Sequence, residues 1–184
     1  MLVPCADLDS AVLDLAAVLE GLVADQFEII LVTNGEAVAV AELQARAPSL
    51  PLRVVESDRL SDGCDGARFD LLFVAATDGQ FDVRELNHVL DGVESGADVA
   101  VGYRPRRSDA IVRRFQRWGW KVDVDCAFGL IRREVWQALR AADLVTSCCG
   151  EILANVRRLG YRIAEVPVSH RRPTLGTSQN WRAA

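Results

Sequence analysis

The stretch Asp70-Leu-Leu-Phe-Val-Ala-Ala76, followed by Thr77-Asp78-Gly79-Gln80-Phe81-Asp82, decides the fold of this chain. Its apolar half predicts a buried strand, and the strand stops abruptly at an acidic loop that contains a glycine. At the carboxyl edge of an α/β sheet, a metal ion and a phosphate can approach Asp78 and the freely turning Gly79. The alternative is an ordinary Asp-Gly turn that leads into an N-capped helix.

Strands and helices are predicted to alternate on both sides of this junction. The predicted strands cover residues 1–5, 27–33, 51–56, 70–76, 98–103 and 161–169, with another one ending near residue 133. The first predicted helix begins at a cap, Asp9 or Ser10, and ends at residue 23. Further helices are predicted over 36–46, 83–94, 134–142 and 149–159. Residues 57–68 are predicted to form a loop. This alternation predicts an α/β fold, a mostly parallel sheet with helices on both faces.

Length and charge narrow the class of protein. With 184 residues, 50% of them hydrophobic, we expect one domain over residues 1–184, with 170–184 as a polar and flexible tail. A net charge of −5 argues against nucleic acid as the main partner. No run approaches the ~18–20 apolar residues of a membrane span, and no targeting segment is evident. We therefore expect a cytoplasmic protein without a membrane span.

The five cysteines, at positions 5, 64, 126, 148 and 149, lack the spacing of a zinc site. Reduced and mostly buried thiols are the expected state. The adjacent pair Cys148-Cys149 leaves open a redox or nucleophilic role.

Several segments, in order along the chain, carry a family resemblance. They are Phe27-Glu-Ile-Ile-Leu-Val32, Asp78-Gly-Gln-Phe-Asp82, Ala97-Asp-Val-Ala-Val-Gly-Tyr-Arg104, Asp123-Val-Asp-Cys-Ala-Phe128 with Arg132-Arg133, Glu151-Ile-Leu153, and Gly160-Tyr-Arg-Ile-Ala-Glu-Val-Pro-Val-Ser-His170. The chain resembles the family 2 glycosyltransferases with a GT-A fold, especially polyprenyl-phosphate and dolichol-phosphate sugar transferases. The resemblance implies inverting transfer of a sugar from a nucleotide-activated donor.

The resemblance also implies a donor site and a metal site. Donor-binding residues would be Asn34, Asp78, Arg104 and Arg172, in which the arginines balance phosphate charge. Asp78 and His170 would hold Mg²⁺ or Mn²⁺. For His170 and Arg172, a surface position and a place in a polar tail are the alternatives.

The same resemblance implies that Asp123 is the general base, with Asp125 beside it. It also implies that Glu151 faces the acceptor. Each has a structural alternative. Asp123 and Asp125 can cap a turn before a strand, and Glu151 suits the first turn of a helix because of the helix dipole.

The chain departs from the family pattern where the donor would bind. Ala76 stands in place of the first aspartate of the Asp-x-Asp motif, which predicts weakened metal binding because one carboxylate plus substrate phosphates must suffice. Thr33-Asn34-Gly35-Glu36 replaces the usual aspartate pair. Shortened segments before residue 70 and between 109 and 123 favour a small-molecule acceptor over a polyprenyl phosphate.

Three functions stay open at this point. The first is a small glycosyltransferase that uses a nucleotide-sugar. The second is a GT-A scaffold repurposed as a nucleotide-independent tailoring enzyme of a biosynthetic pathway, and the third is a non-catalytic binding protein. A homo-oligomer is compatible with all three.

Overall fold

The computed structural model describes residues 5–24, 26–33, 37–75, 81–103, 128–146 and 149–169. The helices are α1 (Cys5–Val23), α2 (Ala37–Arg46), α3 (Leu60–Asp65), α4 (Leu86–Glu94), α5 (Arg133–Ala141) and α6 (Cys149–Arg158). The strands are β1 (Ile29–Thr33), β2 (Leu52–Glu56), β3 (Leu71–Ala75), β4 (Val99–Tyr103), β5 (Phe128–Arg132) and β6 (Ile163–Pro167). A single 3-10 turn, Val83–Glu85, precedes α4.

These strands form two sheets. β1 pairs with β2 in parallel, with Leu31 opposite Val54. The second sheet has the order β3-β5-β4-β6, in which β4 and β6 are parallel and β5 is antiparallel to both of its neighbours. The α/β fold is thus confirmed, and β5 is an antiparallel strand in a sheet predicted to be mostly parallel. Its apolar run could not reveal this, because a buried strand has the same composition in either direction.

Helices cover both faces of the sheets, as predicted. Three helices, α1, α2 and α4, pack on one face, where the buried side chains include Val12, Leu43, Val89, Ala100 and Phe128. The other face is covered by α3, α5 and α6, around Cys64, Val101, Trp136, Leu139 and Val156. Successive β4 residues, Val99, Ala100 and Val101, alternate between the two faces, as the pleat of a strand requires.

Two of the sequence-based predictions are wrong, namely the start of α1 and the loop at residues 57–68. Helix α1 already includes Cys5, so neither Asp9 nor Ser10 begins it. Residues 57–68 contain the short helix α3, where a loop was predicted. The helix forms because Gly63 fits closely against Val32 of β1 and because Cys64 is buried in the core. The remaining predicted elements agree with the structure to within one or two residues at most ends, apart from residues 1–4 and other segments outside the described ranges.

Gly160 ends α6 with a backbone φ of +89°, as expected from its place after the last turn of the helix. The chain then reverses into β6 at Ile163. Helix α6 therefore runs antiparallel to β6, and its first turn lies towards the carboxyl end of that strand.

Candidate functional site

The strand ends that neighbour the predicted site residues lie at the carboxyl edge of the sheets. Thr33, Ala75 and Tyr103 end β1, β3 and β4, and β5 starts at Phe128 on the same edge because it runs in the opposite direction. The site residues predicted next to these ends lie outside the described residues: Asn34, Asp78, Arg104, Asp123, Asp125, His170 and Arg172. Their roles stay predictions.

The residues that precede β1 and β3 are joined at the opposite edge. Glu28, immediately before β1, accepts hydrogen bonds from the Arg68 backbone N–H at 2.6 Å and from Arg68 Nε at 3.0 Å. The Glu28 carboxylate is 4% exposed. The Arg68 side chain is 73% exposed, so this ion pair is partly open to solvent, and the buried Glu28 links residues that precede β1 and β3.

An aromatic cluster lies beneath the carboxyl edge. Phe128 is 1% exposed, stacks on Phe81 with ring centroids 5.4 Å apart, and meets Phe73 edge to face at 5.0 Å. Phe81 is the third residue after Asp78, and Phe128 is the third after Asp125. The Phe81–Phe128 stack therefore connects the segment that follows Asp78, the predicted metal ligand, to the segment that follows Asp123, the predicted base.

The ends of β4 and β6 are held together beside this cluster. The Val168 N–H donates to the Tyr103 carbonyl at 3.0 Å, so the residues leading to Arg104 and to His170 leave the sheet next to each other. Gly102 permits this close approach, since a Cβ there would lie 2.7 Å from Val168 Cγ2.

Glu85 adds a further link that the sequence analysis missed. Its Oε2 accepts a hydrogen bond from the Ser169 N–H at 2.6 Å, which ties the 3-10 turn after the Asp78 loop to the residue before His170. Asp82 caps the same turn by accepting from the Arg84 N–H at 3.1 Å. The pattern Asp82-x-x-Glu85 has capping-box spacing, and the Glu85 carboxylate accepts from Ser169, just after β6.

Glu151 is the predicted catalytic residue that the structure describes. It lies in the first turn of α6 with its side chain exposed. Because α6 runs antiparallel to β6, this turn points towards the carboxyl edge of the sheet. The placement suits both an acceptor-facing acid and a glutamate that interacts with the helix dipole.

Thr33 marks the end of β1 in a different way. It is 2% exposed, and its Oγ1 has no hydrogen-bond partner among the described residues. A buried hydroxyl normally has a partner. The sequence analysis named Thr33 as part of the segment that replaces the aspartate pair, but it did not predict that the Thr33 hydroxyl is buried.

Arg132 and Arg133, which belong to the family-like segments, lie at the opposite edge of the sheet. Arg132 Nη2 donates to the Val93 carbonyl at 3.2 Å, and Arg133 Nε donates to the Phe69 carbonyl at 2.8 Å. They stabilise chain segments that precede β4 and β3. The structure thus gives this motif a structural role.

The buried thiol of Cys64 lies within the core, away from the carboxyl edge. Desolvation, with a smaller contribution from the charge of Asp65, raises the pKa of Cys64 to about 12. Cys64 is free and buried, as expected, and is protonated at neutral pH. The thiols of Cys126 and Cys148 lie outside the described residues.

Among the side chains that the structure describes, no group of three or more His, Cys, Asp or Glu residues could hold a metal ion. Asp78 and His170 lie outside those residues. The Glu85–Ser169 hydrogen bond places the residue before His170 next to the 3-10 turn that follows the Asp78 segment. A metal ion shared by Asp78 and His170 stays a prediction. In the part of the chain that the structure describes, no helix is both long enough and apolar enough to cross a lipid bilayer.

Comparison with known proteins identifies one related sequence. The chain is 31% identical to glycosyltransferase AglD from Haloferax volcanii, over 80% of this chain and 28% of that protein. It therefore spans less than a third of the length of this curated relative. No family model matches the chain.

Solved structures give the fold. Glucosyl-3-phosphoglycerate synthase from Mycobacterium tuberculosis, in complex with phosphoglyceric acid, superimposes with a TM-score of 0.66 at 14% identity, covering 94% of this chain and 70% of that one. The same enzyme in complex with Mn²⁺, UDP-glucose and phosphoglyceric acid gives a TM-score of 0.63 at 12% identity, covering 94% and 69%. The chain has the GT-A fold, and its predicted resemblance to glycosyltransferases is confirmed.

Proposed function

We propose that this chain is the sugar-transferring part of a glycosyltransferase, which moves a sugar from a nucleoside diphosphate to a small hydroxylated acceptor with inversion. The observation that carries the proposal is the convergence of β1, β3, β4, β5 and β6 ends on one edge, above the Phe81–Phe128 stack. The similarity to glycosyltransferase AglD, and neighbours whose structures contain UDP-glucose and Mn²⁺, support the donor class.

In the proposed reaction, an acceptor hydroxyl oxygen attacks the anomeric carbon while the bond from that carbon to the diphosphate oxygen breaks. Asp123 takes the hydroxyl proton, and the nucleoside diphosphate leaves with the electron pair. Arg104 and Arg172 would stabilise the charge on the leaving diphosphate. Asp125 and Glu151 would orient the acceptor.

Mg²⁺ or Mn²⁺, when bound, would neutralise further diphosphate charge. Asp78 and His170 are the residues that would hold it, with Asn34 beside the nucleotide. Because Ala76 supplies no carboxylate, we expect a weaker metal site than a complete Asp-x-Asp motif would give.

The test is calorimetric titration with UDP-, GDP- and dTDP-sugars, with and without Mn²⁺. We expect metal-dependent binding that Asp78→Ala weakens by about 10- to 100-fold, the range for losing a charge-assisted contact. The exposed Asp91, on α4, provides a matched control, and Asp91→Ala should bind like the wild type. No binding across the whole panel would refute the proposal and leave the nucleotide-independent enzyme or the binding protein.

Asp123→Asn separates binding from chemistry. The variant should bind the donor normally while the rate of sugar transfer, or of donor hydrolysis, falls by about 10²- to 10⁴-fold, as expected when a general base is removed. An unchanged rate would exclude Asp123 as the base.

A further inference from the structure

Glu85 joins two parts of the carboxyl edge that lie 84 residues apart in the chain. It is the last residue of the 3-10 turn Val83–Glu85, and its Oε2 accepts a hydrogen bond from the Ser169 N–H at 2.6 Å. A carboxylate that accepts from a backbone N–H at this distance forms a charge-assisted hydrogen bond, the stronger kind. Glu85 is half-buried and Ser169 is exposed, so the bond lies at the rim of the fold.

Helix α4 gives Glu85 a rigid support beside β6. Leu86, the first residue of the helix, is buried in the same cluster as Val168, which follows β6. Further along the helix, a Cβ at Gly92 would lie only 3.3 Å from the Cβ of Ala164 in β6. Packing this close leaves α4 little room to shift on the strand. The Glu85 carboxylate therefore reaches Ser169 from a fixed origin.

The chain leaves the core between Val168 and Ser169. Val168 is 3% exposed, and its N–H donates to the carbonyl of Tyr103, the last residue of β4. The pairing of β4 with β6 ends at Tyr103 and Pro167. Ser169 lies beyond this pairing and is exposed, and the Glu85 carboxylate holds its N–H. The hydrogen bond thus extends the fixed part of the chain by one residue past the core.

We propose that Glu85 is a positioning residue of the donor site, which acts through the backbone of Ser169. By holding the Ser169 N–H, the carboxylate sets the direction in which the chain continues after β6. The next residue in the sequence is His170, the predicted metal ligand, so this inference rests on the proposed function. A residue that orients a ligand raises metal affinity without contacting the ion.

Two properties of the Glu85 side chain can be separated by substitution. Glu85→Gln keeps the length and an oxygen that accepts a hydrogen bond, but it removes the charge. Glu85→Asp keeps the charge, but the side chain is one methylene shorter. A residue that positions Ser169 should tolerate glutamine and not aspartate. A direct metal ligand should show the reverse order, because Mg²⁺ and Mn²⁺ favour carboxylates.

Amide hydrogen exchange, measured by NMR without any ligand, tests the contact itself. In the wild-type chain we expect the Ser169 amide to exchange at least about 10-fold more slowly than an unprotected exposed amide. Glu85→Ala and Glu85→Asp should lose this protection, and Glu85→Gln should keep it. The neighbouring Val168 amide, which donates to Tyr103, is the internal control and should stay protected in every variant.

Calorimetric titration with UDP-glucose, GDP-glucose and dTDP-glucose, with and without Mn²⁺, tests the positioning role. Glu85→Ala and Glu85→Asp should weaken Mn²⁺-dependent binding by about 10- to 100-fold, the range for losing a residue that orients a metal ligand. Glu85→Gln should stay within about 3-fold of the wild type, because it keeps the hydrogen bond. Binding without Mn²⁺ should be the same in all variants. The matched control is Glu94→Ala, at the exposed last residue of α4, which should bind like the wild type.

Wild-type binding by Glu85→Ala would overturn the positioning role and leave the proposed function standing. Rapid exchange of the Ser169 amide in the wild type would also overturn it, as would equal losses of binding with and without Mn²⁺. A loss in Glu85→Gln but not in Glu85→Asp would make Glu85 a direct ligand instead. Absence of binding by the wild type would refute the proposed function and this role together. If Glu85→Ala does not fold, the glutamine and aspartate variants still decide.

Discussion

Replacing Phe128 with leucine probes the aromatic cluster that holds the carboxyl edge together. Leucine keeps most of the buried hydrocarbon but removes two ring pairs, the stack on Phe81 and the edge contact with Phe73. Each such pair contributes about 0.5–1.5 kcal/mol. We therefore expect Phe128→Leu to lower the free energy of unfolding by about 1–3 kcal/mol. For a chain of this size, the melting temperature should fall by roughly 2–12 °C.

A double-mutant cycle isolates the stack itself. Phe81→Leu alone should lower the free energy of unfolding by about 0.5–1.5 kcal/mol. The double variant should lose less than the sum of the two single losses, and the difference should equal about the energy of one ring pair. Urea unfolding followed by circular dichroism measures all four proteins. Phe73→Leu is the matched control, because it should couple to Phe128→Leu and not to Phe81→Leu.

Additivity of Phe81→Leu and Phe128→Leu to within about 0.3 kcal/mol would refute the reasoning. It would mean that the stack does not couple the two chain segments. The link between the Asp78 loop and the segment before β5 would then have to rest on other contacts.

Two further predictions concern α3. The Cys64 thiol, whose pKa of about 12 exceeds its ordinary value of 9.0, stabilises the fold below pH 9 and loses that contribution as the pH rises towards 12. Cys64→Ala should therefore show a shallower fall in unfolding free energy between pH 8 and pH 10.5, and parallel profiles would contradict this. Asp65 accepts from Trp136 Nε1 at 2.8 Å and pairs with Arg140 Nη2 at 2.8 Å. In urea unfolding, Asp65→Ala should lower the free energy of unfolding by about 1–3 kcal/mol. Asp65→Asn should lower it by only about 0–1 kcal/mol, because asparagine still accepts a hydrogen bond from the indole. Equal losses for the two variants would argue against this hydrogen bond.

Periodic hydrophobic runs predicted most of the fold, and the exceptions have physical causes. The run before Thr33 and the run before Ala76 gave β1 and β3 because a strand buried on both faces is apolar throughout. Strand direction is not encoded in such a run, so the reversal of β5 was not predictable. Helix α3 was missed because it is held by packing of Gly63 on a distant strand rather than by its own periodicity.

The location of the candidate site was predictable, whereas its supports were not. Residues that follow a strand end can be placed at one edge from the sequence alone. The Glu85–Ser169 hydrogen bond joins positions 84 residues apart, and no local pattern announces such a pairing. The same holds for the Phe81–Phe128 stack, because the sequence analysis placed Phe81 in an acidic loop and gave no sign that it meets Phe128.

The contacts at the carboxyl edge indicate what the presence of Ala76 in place of an aspartate changes. The carboxyl edge is held by contacts of the protein with itself: the Phe81–Phe128 stack, the Tyr103–Val168 hydrogen bond and the Glu85–Ser169 hydrogen bond. None of these contacts involves an ion, so they do not depend on a carboxylate at position 76. We therefore expect the missing carboxylate to lower metal affinity rather than to disturb these contacts. An ion held by so few protein ligands would bind mainly together with the diphosphate, whose oxygens complete its coordination.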